Sequence, residues 1–419
     1  MMFKILRTVV VVGMCLMLGE IAGISQGAVE KESIKIGMTI STSGQYAYAS
    51  LSGFRGVQVW VEDVNRRGGI YVAEYGRKLP VELRYYDDRS DKATVVKLYE
   101  KLIVEDKIDI AIAPFGSTLT SAAAAITEKY GIFLNIWSAA ADSIYEQGYK
   151  YIVSTTEVPV SLMPKPEIDH MHSLGIKKLA IIYNEEPFNA GQAKFAKEFA
   201  ENYGMEVVLY EKTTTGTLDF SMLLEKVRAS GAEALYASHY LGDQINILKQ
   251  MKELGLMPKY VYMVYSGQLE PWTEALGDDG LYIFGHTLWH PALIWPINAG
   301  LTRDEFIELY NQLFPGERPP DFQTSLAYGA GAILEEIIKH AGSLKAAALK
   351  QAALDLSGKL VVITGPYAID ETGKQLLMPF SVTQVVKDPE TGAYKHEIVW
   401  PPEVATAKPV FPIPSWEER

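Results

Sequence analysis

Four short segments carry residue types suited to holding a small molecule. Phe115-Gly116-Ser117-Thr118-Leu119-Thr120 follows an apolar run at 108–113 and opens an Ala-rich helical stretch at 121–128. Unpaired backbone N–H groups and the positive end of a helix dipole converge at such a point, and the hydroxyls of Ser117 and Thr118 add donors, so the construction suits a carboxylate. The same hydroxyls, or that of Thr120, also suit capping of the helix, and the two roles are compatible. Trp137-Ser138-Ala139-Ala140-Ala141-Asp142 follows a second apolar run at 132–136. Small side chains at Ser138, Ala139 and Ala140 let a ligand approach backbone amides; Trp137 fits wall or core equally, and Asp142 fits the cap of a short helix. Glu186-Pro187-Phe188-Asn189 and Ser238-His239-Tyr240-Leu241-Gly242 follow two later runs. There Phe188, His239 and Tyr240 offer covers for a ligand's face, since aromatic rings give large contact area at little entropic cost. His239, a lone histidine, fits a structural role as readily as a contact. Tyr46, in the hydroxyl-rich loop behind the first strand, joins the candidates, with Gln268, Glu270 and Trp289 as weaker ones.

Other chemistries find less support. Asp87-Asp88-Arg89-Ser90-Asp91 has the acidic density of a cation loop but lacks the glycine turn and distal glutamate that calcium needs. It reads as a solvated turn in which Ser90 or Asp91 caps the next helix. There is no P-loop, no G-x-S-x-G elbow and no H-E-x-x-H helix. The seven histidines are scattered, and spacing assembles no acid, base and nucleophile. The expectation is ligand capture without catalysis, cofactor or metal.

The segments are positioned by a regular alternation of strands and helices, the pattern of an α/β protein with parallel-rich sheets. Strands are expected near 34–40, 80–86, 108–113, 132–136 and 151–154, with a first helix near 51–66 that sets Leu51, Phe54, Val57, Trp60, Val61 and Val64 on one face. Gly68-Gly69 ends it. The alternation restarts after Val158-Pro159, with strands near 178–183, 205–210, 232–237, 260–264 and 281–285. This second series echoes the first in periodicity, without a visible sequence repeat. A Pro- and Trp-rich crossover loop is expected over 287–300, helices over 302–314 and 321–341, and strands over 360–364, 380–387 and up to Trp400. Two sheets joined by several crossings imply lobes that hinge over a cleft.

A chain of 419 residues suits two lobes better than one core. Its net charge of −12 argues against nucleic acid and anionic membrane surfaces, both of which require a cationic footprint. Lys4 and Arg7 followed by an apolar run at 9–18 read as an export signal, with cleavage near Gly27 or Ala28. The single cysteine, Cys15, lies in that run, so a mature chain has no disulfide. Met14 is a poor neighbour for lipid attachment at Cys15.

Taken in order, a series of short motifs resembles the leucine/isoleucine/valine-binding family of extracytoplasmic solute-binding proteins, which have the type I periplasmic fold and serve ABC transporters. The motifs are the Ser43-Gly44 loop, Gly53 and Gly56, Asn65-Arg66-Arg67-Gly68-Gly69-Ile70, Tyr86-Asp87-Asp88, Tyr130-Gly131-Ile132, Gln147-Gly148-Tyr149, Phe220-Ser221, Gly365-Pro366 and Asp370-Glu371-Thr372-Gly373. The resemblance covers nearly the whole mature chain and implies two Rossmann-like lobes joined by a multi-crossing hinge. The expected division is signal 1–28, first lobe 29–157 and 286–364, second lobe 158–285, and 365–419 as hinge return, second-lobe strands and C-terminal strap. The resemblance further implies carboxylate binding at Ser117 and Thr118 and at the amides of Ser138 to Ala140, with Phe188 and a tyrosine of His239-Tyr240 closing from the other lobe. A membrane permease is the implied partner of a monomeric protein, and a ligand-sensing receptor module is the alternative use of the same fold. Two departures stand out. The family places a threonine hydroxyl where Ala140 aligns, and an acidic residue for the ligand's ammonium around Tyr265 to Gln268, where this chain has none. Glu270 substitutes only if its loop shifts. The expected ligand is therefore a small carboxylate or amide, branched or aromatic, with amino acids as one option.

Overall fold

The computed structural model describes residues 31–267, 269–377 and 380–419. The expected export signal, Cys15 and Gln268 lie outside the described residues.

The first half runs β1 (Ile34–Ile40), α1 (Ala47–Arg66), β2 (Ile70–Val72), β3 (Arg77–Leu79), β4 (Val81–Asp87), α2 (Lys92–Val104), β5 (Ile110–Ile112), α3 (Ser117–Tyr130), β6 (Phe133–Ile136) and β7 (Ile152–Ser154). Five of these strands form a parallel sheet in the order β4-β1-β5-β6-β7. β1 and β6 are buried almost throughout, as strands covered on both faces must be. α1 starts four residues earlier than its periodicity suggests. Phe54, Val57, Trp60 and Val64 face the core, whereas Leu51 stays exposed.

The second half runs α4 (Lys165–Ser173), β8 (Lys178–Asn184), α5 (Pro187–Asn202), β9 (Glu206–Thr213), α6 (Ser221–Ala229), β10 (Ala234–Ser238), α7 (Leu241–Glu253), β11 (Tyr260–Met263), α8 (Glu270–Leu276) and β12 (Phe284–Thr287). After a loop without helix or strand come α9 (Arg303–Leu313), α10 (Phe322–Ala341), α11 (Ala346–Asp355), β13 (Leu360–Val362), β14 (Gly365–Tyr367), β15 (Ser381–Lys387) and β16 (Tyr394–Trp400). The second sheet has the order β16-β15-β12-β11-β10-β8-β9, parallel from β9 to β12 and antiparallel at β15 and β16. Within each lobe the first strand of the series is flanked by the second and third, so both sheets reverse strand order at an equivalent place.

α10 returns to the first lobe and packs along α1. A Cβ at Gly56 would stand 2.1 Å from the Thr324 carbonyl oxygen, and one at Gly331 would stand 2.3 Å from the Trp60 ring, so the approach of the two helices depends on both glycines. Arg67 ties their far ends, 3.0 Å from Asp63 and 2.7 Å from Glu335. The expected boundary at 364/365 falls inside the β13–β14 hairpin. Residues 365–377 stay with the first sheet, because the Ser154 N–H donates to the Gly373 carbonyl (2.7 Å) and Gln375 Nε2 donates to the Thr155 carbonyl (2.9 Å). The chain thus crosses between lobes after β7, after β12 and before β15. The C-terminal strap lies on the second lobe, where Trp416 Nε1 donates to the Leu256 carbonyl (3.1 Å).

The Asp87 to Asp91 turn is less solvated than expected. Asp91 does cap α2, accepting from the Thr94 N–H at 2.7 Å. Asp88, however, is buried and accepts from the hydroxyls of Thr39 (2.7 Å) and Ser41 (2.5 Å) and the Ser90 N–H (2.9 Å), which makes it a tie between β1 and β4. Among the described residues no group of three or more His, Cys, Asp or Glu stands close enough to hold a metal ion, and no helix is long and apolar enough to cross a membrane.

Candidate functional site

In an open α/β sheet the crevice outside the strands' carboxyl ends, where strand order reverses, is where ligands settle. In the first lobe that place lies between the loops after β1 and β5, which carry Tyr46 and Phe115-Gly116; the Tyr46 and Phe115 ring centroids are 5.9 Å apart. In the second lobe it lies between the loops after β8 and β10, which lead to Phe188 and Tyr240, with ring centroids 6.2 Å apart and stacked. The two crevices face each other. Tyr46 meets Tyr240 edge to face at 5.1 Å.

Between them lies a narrow cavity of about 20 Å³, room for a single water-sized group. Its first-lobe wall is Phe115, Gly116, Ser117, Ser138, Ala140, Glu157, Phe322 and Gln323, and its second-lobe wall includes Phe188, Tyr240, Tyr265 and His286. α3 begins at this wall. Its N-cap is Gly116 at φ +85°, a conformation that favours glycine, and no side chain caps the helix. The nearby hydroxyls are engaged elsewhere: Thr120 donates to the Pro114 carbonyl at 2.9 Å, and Ser117 Oγ accepts from the Ala141 N–H at 3.0 Å. Because that bond uses Ser117 Oγ as acceptor, its hydrogen remains available to the cavity. The wall is thus a set of donors at a helix N-terminus.

The second-lobe wall is held from behind. Gln244 Nε2 donates to the carbonyls of Ala237 (3.2 Å) and His239 (2.9 Å), and its Oε1 accepts from the Tyr265 N–H (3.1 Å), so one side chain fixes both tyrosine loops. His286 Nδ1 is 2.6 Å from the Tyr262 hydroxyl, and burial pushes its pKa down to about 3. The hydroxyls of Tyr46 and Tyr240 are buried without partners.

Ser117, Ser138, Ala140, Phe188 and Tyr240 therefore come together from four separate loops. Other sequence-derived candidates do not join them. Thr118 turns its hydroxyl to the Glu186 carboxylate across the lobe interface. Ala139 sits in the second loop but off the cavity, its carbonyl accepting from the Tyr145 hydroxyl at 3.0 Å. Tyr46 backs the cavity as a wedge between Phe115 and Tyr240. His239 is buried behind the wall, Nε2 3.0 Å from Thr213 Oγ1 and its ring edge-on to Phe220, and so takes the structural role. Trp137 is core: its Nε1 donates to the Ala113 carbonyl (2.9 Å), and its ring occupies the space that a side chain at Gly53 would need. Trp289 lines a separate, more open cleft with Tyr48, Glu270 and Arg318. There Arg318 sits 2.8 Å from Glu270 and 2.7 Å from the Tyr48 hydroxyl, so Glu270 is engaged outside the cavity.

An acidic group nevertheless lines the cavity from another segment. Glu157, on the crossing after β7, lines the cavity, and burial pushes its pKa up to about 8. Sequence reasoning passed over it, although the loop after β7 obeys the same strand-end rule that picked out Ser117 and Ser138. Phe322 and Gln323 begin a helix far along the chain and carry no local signal.

Comparison with known proteins agrees with this architecture. The Leu/Ile/Val-binding protein homolog 7 of Brucella abortus (strain 2308) is 26% identical over 371 residues, which cover 85% of this chain and 90% of that protein. Among solved structures, a leucine binding protein from Thermotoga maritima superposes with a TM-score of 0.74 at 20% identity, over 87% of this chain and 97% of its own. A solute binding protein of an ABC transporter from R. palustris, in complex with 4-hydroxybenzoate, superposes with a TM-score of 0.73 at 21% identity, over 92% and 99%. The family model described as periplasmic binding protein matches residues 33–391. The chain belongs to the periplasmic binding protein family.

Proposed function

We propose that this protein is the extracytoplasmic solute-binding component of an ABC transporter and that it captures a small carboxylate-bearing ligand by hinge closure. The observation that carries this reading is the narrow interlobe cavity, with the uncapped start of α3 on one side and stacked aromatic rings on the other. The names of its relatives, a Leu/Ile/Val-binding protein homolog and proteins bound to isoleucine or 4-hydroxybenzoate, support the same class of solute.

In the open protein the ligand's carboxylate docks on the first-turn amides of α3 and on the Ser117 hydroxyl. The second lobe then swings in and lays Phe188, Tyr240 and Tyr265 over it. Closure brings Thr118 onto Glu186 and Arg318 onto Glu270, two contacts between lobes. A ligand drives this only through tighter binding to the closed state, and the aromatic cover, which the open state lacks, supplies that difference. No bond is made or broken. The closed pair of lobes is the surface offered to a membrane permease. A mass spectrum of solute released from the purified protein tests the reading: a small carboxylate is expected, and release of a nucleotide, sugar or metal ion would overturn it.

A further inference from the structure

Outside the space between the lobes, the Pro- and Trp-rich loop after β12 folds over the start of α9 and leaves a pocket of about 390 Å³. A space of that size suits a small organic molecule. Its walls are Leu293, Ile294, Trp295, Ile297 and Ile363, and every lining residue belongs to this loop, to α9 with its cap or to the β13–β14 turn. No second-lobe residue contributes, so lobe closure is not needed to form it. The loop is pinned in place: the Asn298 N–H donates to the Val361 carbonyl at 3.0 Å, and Asn298 Oδ1 accepts from the Val361 N–H at 2.8 Å. Ile294 nevertheless stands 86% exposed at the rim.

Two donors in this apolar setting are unspent. Trp295 Nε1 is shut off from solvent and has no hydrogen-bond partner. The half-buried Arg303 guanidinium lies 4.4 Å over the Trp289 ring and donates to the His290 carbonyl, but makes no ion pair among the described residues. Most of its N–H donors are thus left over. Burial pulls its pKa below the usual arginine value, with Asp304 acting the other way. The other polar groups of the lining are accounted for. Thr302 caps α9 reciprocally with Glu305, and Asp304 is exposed in the first turn, where the helix dipole favours it.

We infer that this pocket is a second binding site, for an amphipathic monocarboxylate: a hydrocarbon or aryl body lies against Leu293, Ile297 and Ile363, and its carboxylate meets Arg303 and the Trp295 indole N–H. Charge complementarity selects this occupant. Apolar walls alone would suit any oil-like molecule, whereas a half-buried guanidinium without a carboxylate is best satisfied by a planar anion that takes two hydrogen bonds. Asp304 beside it leaves room for one negative charge and disfavours a second. The concave shape admits a molecule that enters, not a bilayer that lies across the loop. The inference is independent of the solute-binding reading, since the two sites share no residue.

The test is NMR of the tryptophan indole N–H signals of the full chain, with octanoate, octanol and octanedioate as probes; the Trp295 signal is the one lost in Trp295→Phe. Octanoate is expected to move that signal saturably at about millimolar concentration or below, and to do so equally in Ala140→Phe, whose new ring fills the interlobe cavity. Arg303→Gln should weaken octanoate by about tenfold and octanol by less than about twofold. Two substitutions of exposed residues read the same chemistry without touching the core: Asp304→Asn should tighten octanoate by about threefold, and Ile294→Asp should weaken it by at least as much. Octanedioate should bind more weakly than octanoate. If octanoate leaves the Trp295 signal unmoved, binds no more tightly than octanol, or loses its effect in Ala140→Phe, the inference falls while the solute-binding reading stands. A signal that answers only to phosphatidylcholine vesicles would make the loop a membrane contact and overturn it as well.

Discussion

The two lobes place their cavity-facing loops by the same topology and furnish them differently. Each sheet reverses strand order beside its first strand, and each presents two loops at that crevice. In the first lobe the loop after β5, with the neighbouring loop after β6, supplies Gly116, Ser117, Ser138 and Ala140, small residues that expose backbone donors. In the second the two loops supply Phe188 and Tyr240, rings that hide them. On the proposed reading, the strand order decides where a ligand can sit, and the side chains decide which lobe recognises and which retains. A recognising wall needs unpaired polar atoms, which water tolerates when the cleft is open. A covering wall needs area, and aromatic rings provide it with few torsions to freeze.

That division can be broken by experiment. Ala140→Phe fills the recognising wall and should abolish binding, with about 100-fold or greater loss by calorimetry and the free protein's melting temperature little changed, since the open cleft has room. Phe188→Ala together with Tyr240→Ala strips the cover. Stopped-flow measurement should show faster ligand release by about 30-fold and an association rate within a few-fold of the wild type. Ser117→Ala removes one donor and should weaken carboxylate ligands by about tenfold in the same calorimetry. Smaller effects belong to the contacts between lobes. Thr118→Val should cost several-fold in affinity, with Glu186→Gln no worse, because both act on the same closure bond. Arg318→Ala should change affinity less than about fivefold, and only at low salt, because its pair with Glu270 is partly exposed. A large effect of Arg318→Ala, or no effect of the Phe188 and Tyr240 pair, would reverse the roles assigned to the inner cavity and the outer cleft.

Much of the scaffold is legible from pattern because burial on both faces of a parallel strand demands an apolar run. The segments at 34–40, 178–183 and 321–341 announced β1, β8 and α10 almost to the residue. The β2–β3 hairpin was not read, since Gly68-Gly69 signals only a stop and three-residue strands are too short to show a period. Gly53 and Gly56 marked the first helix without revealing why, and the reason lies in Trp137 and α10 pressing against it. Within the candidate site, the positions of Ser117, Ser138, Phe188 and Tyr240 behind strands mark them for the cavity lining they share. The direction of each hydroxyl or ring has no such mark. Thr118 and His239 sit one residue from cavity-lining neighbours and point to Glu186 and Thr213 instead: in the first turn of α3 adjacent residues diverge by about 100°, and His239 precedes α7 where Tyr240 is extended and successive side chains face opposite ways.

The sequence by itself determined two strand-and-helix series, their order, and a donor-rich loop before α3, because each follows from local periodicity and from which residues lack side-chain bulk. Only the tertiary structure decided that Glu157, Tyr265, His286 and Gln323 share one cavity with that loop. Three chain crossings bring those positions together from far apart. Contacts between distant segments leave no local pattern, whereas a carboxyl oxygen buried without a partner becomes visible once they meet.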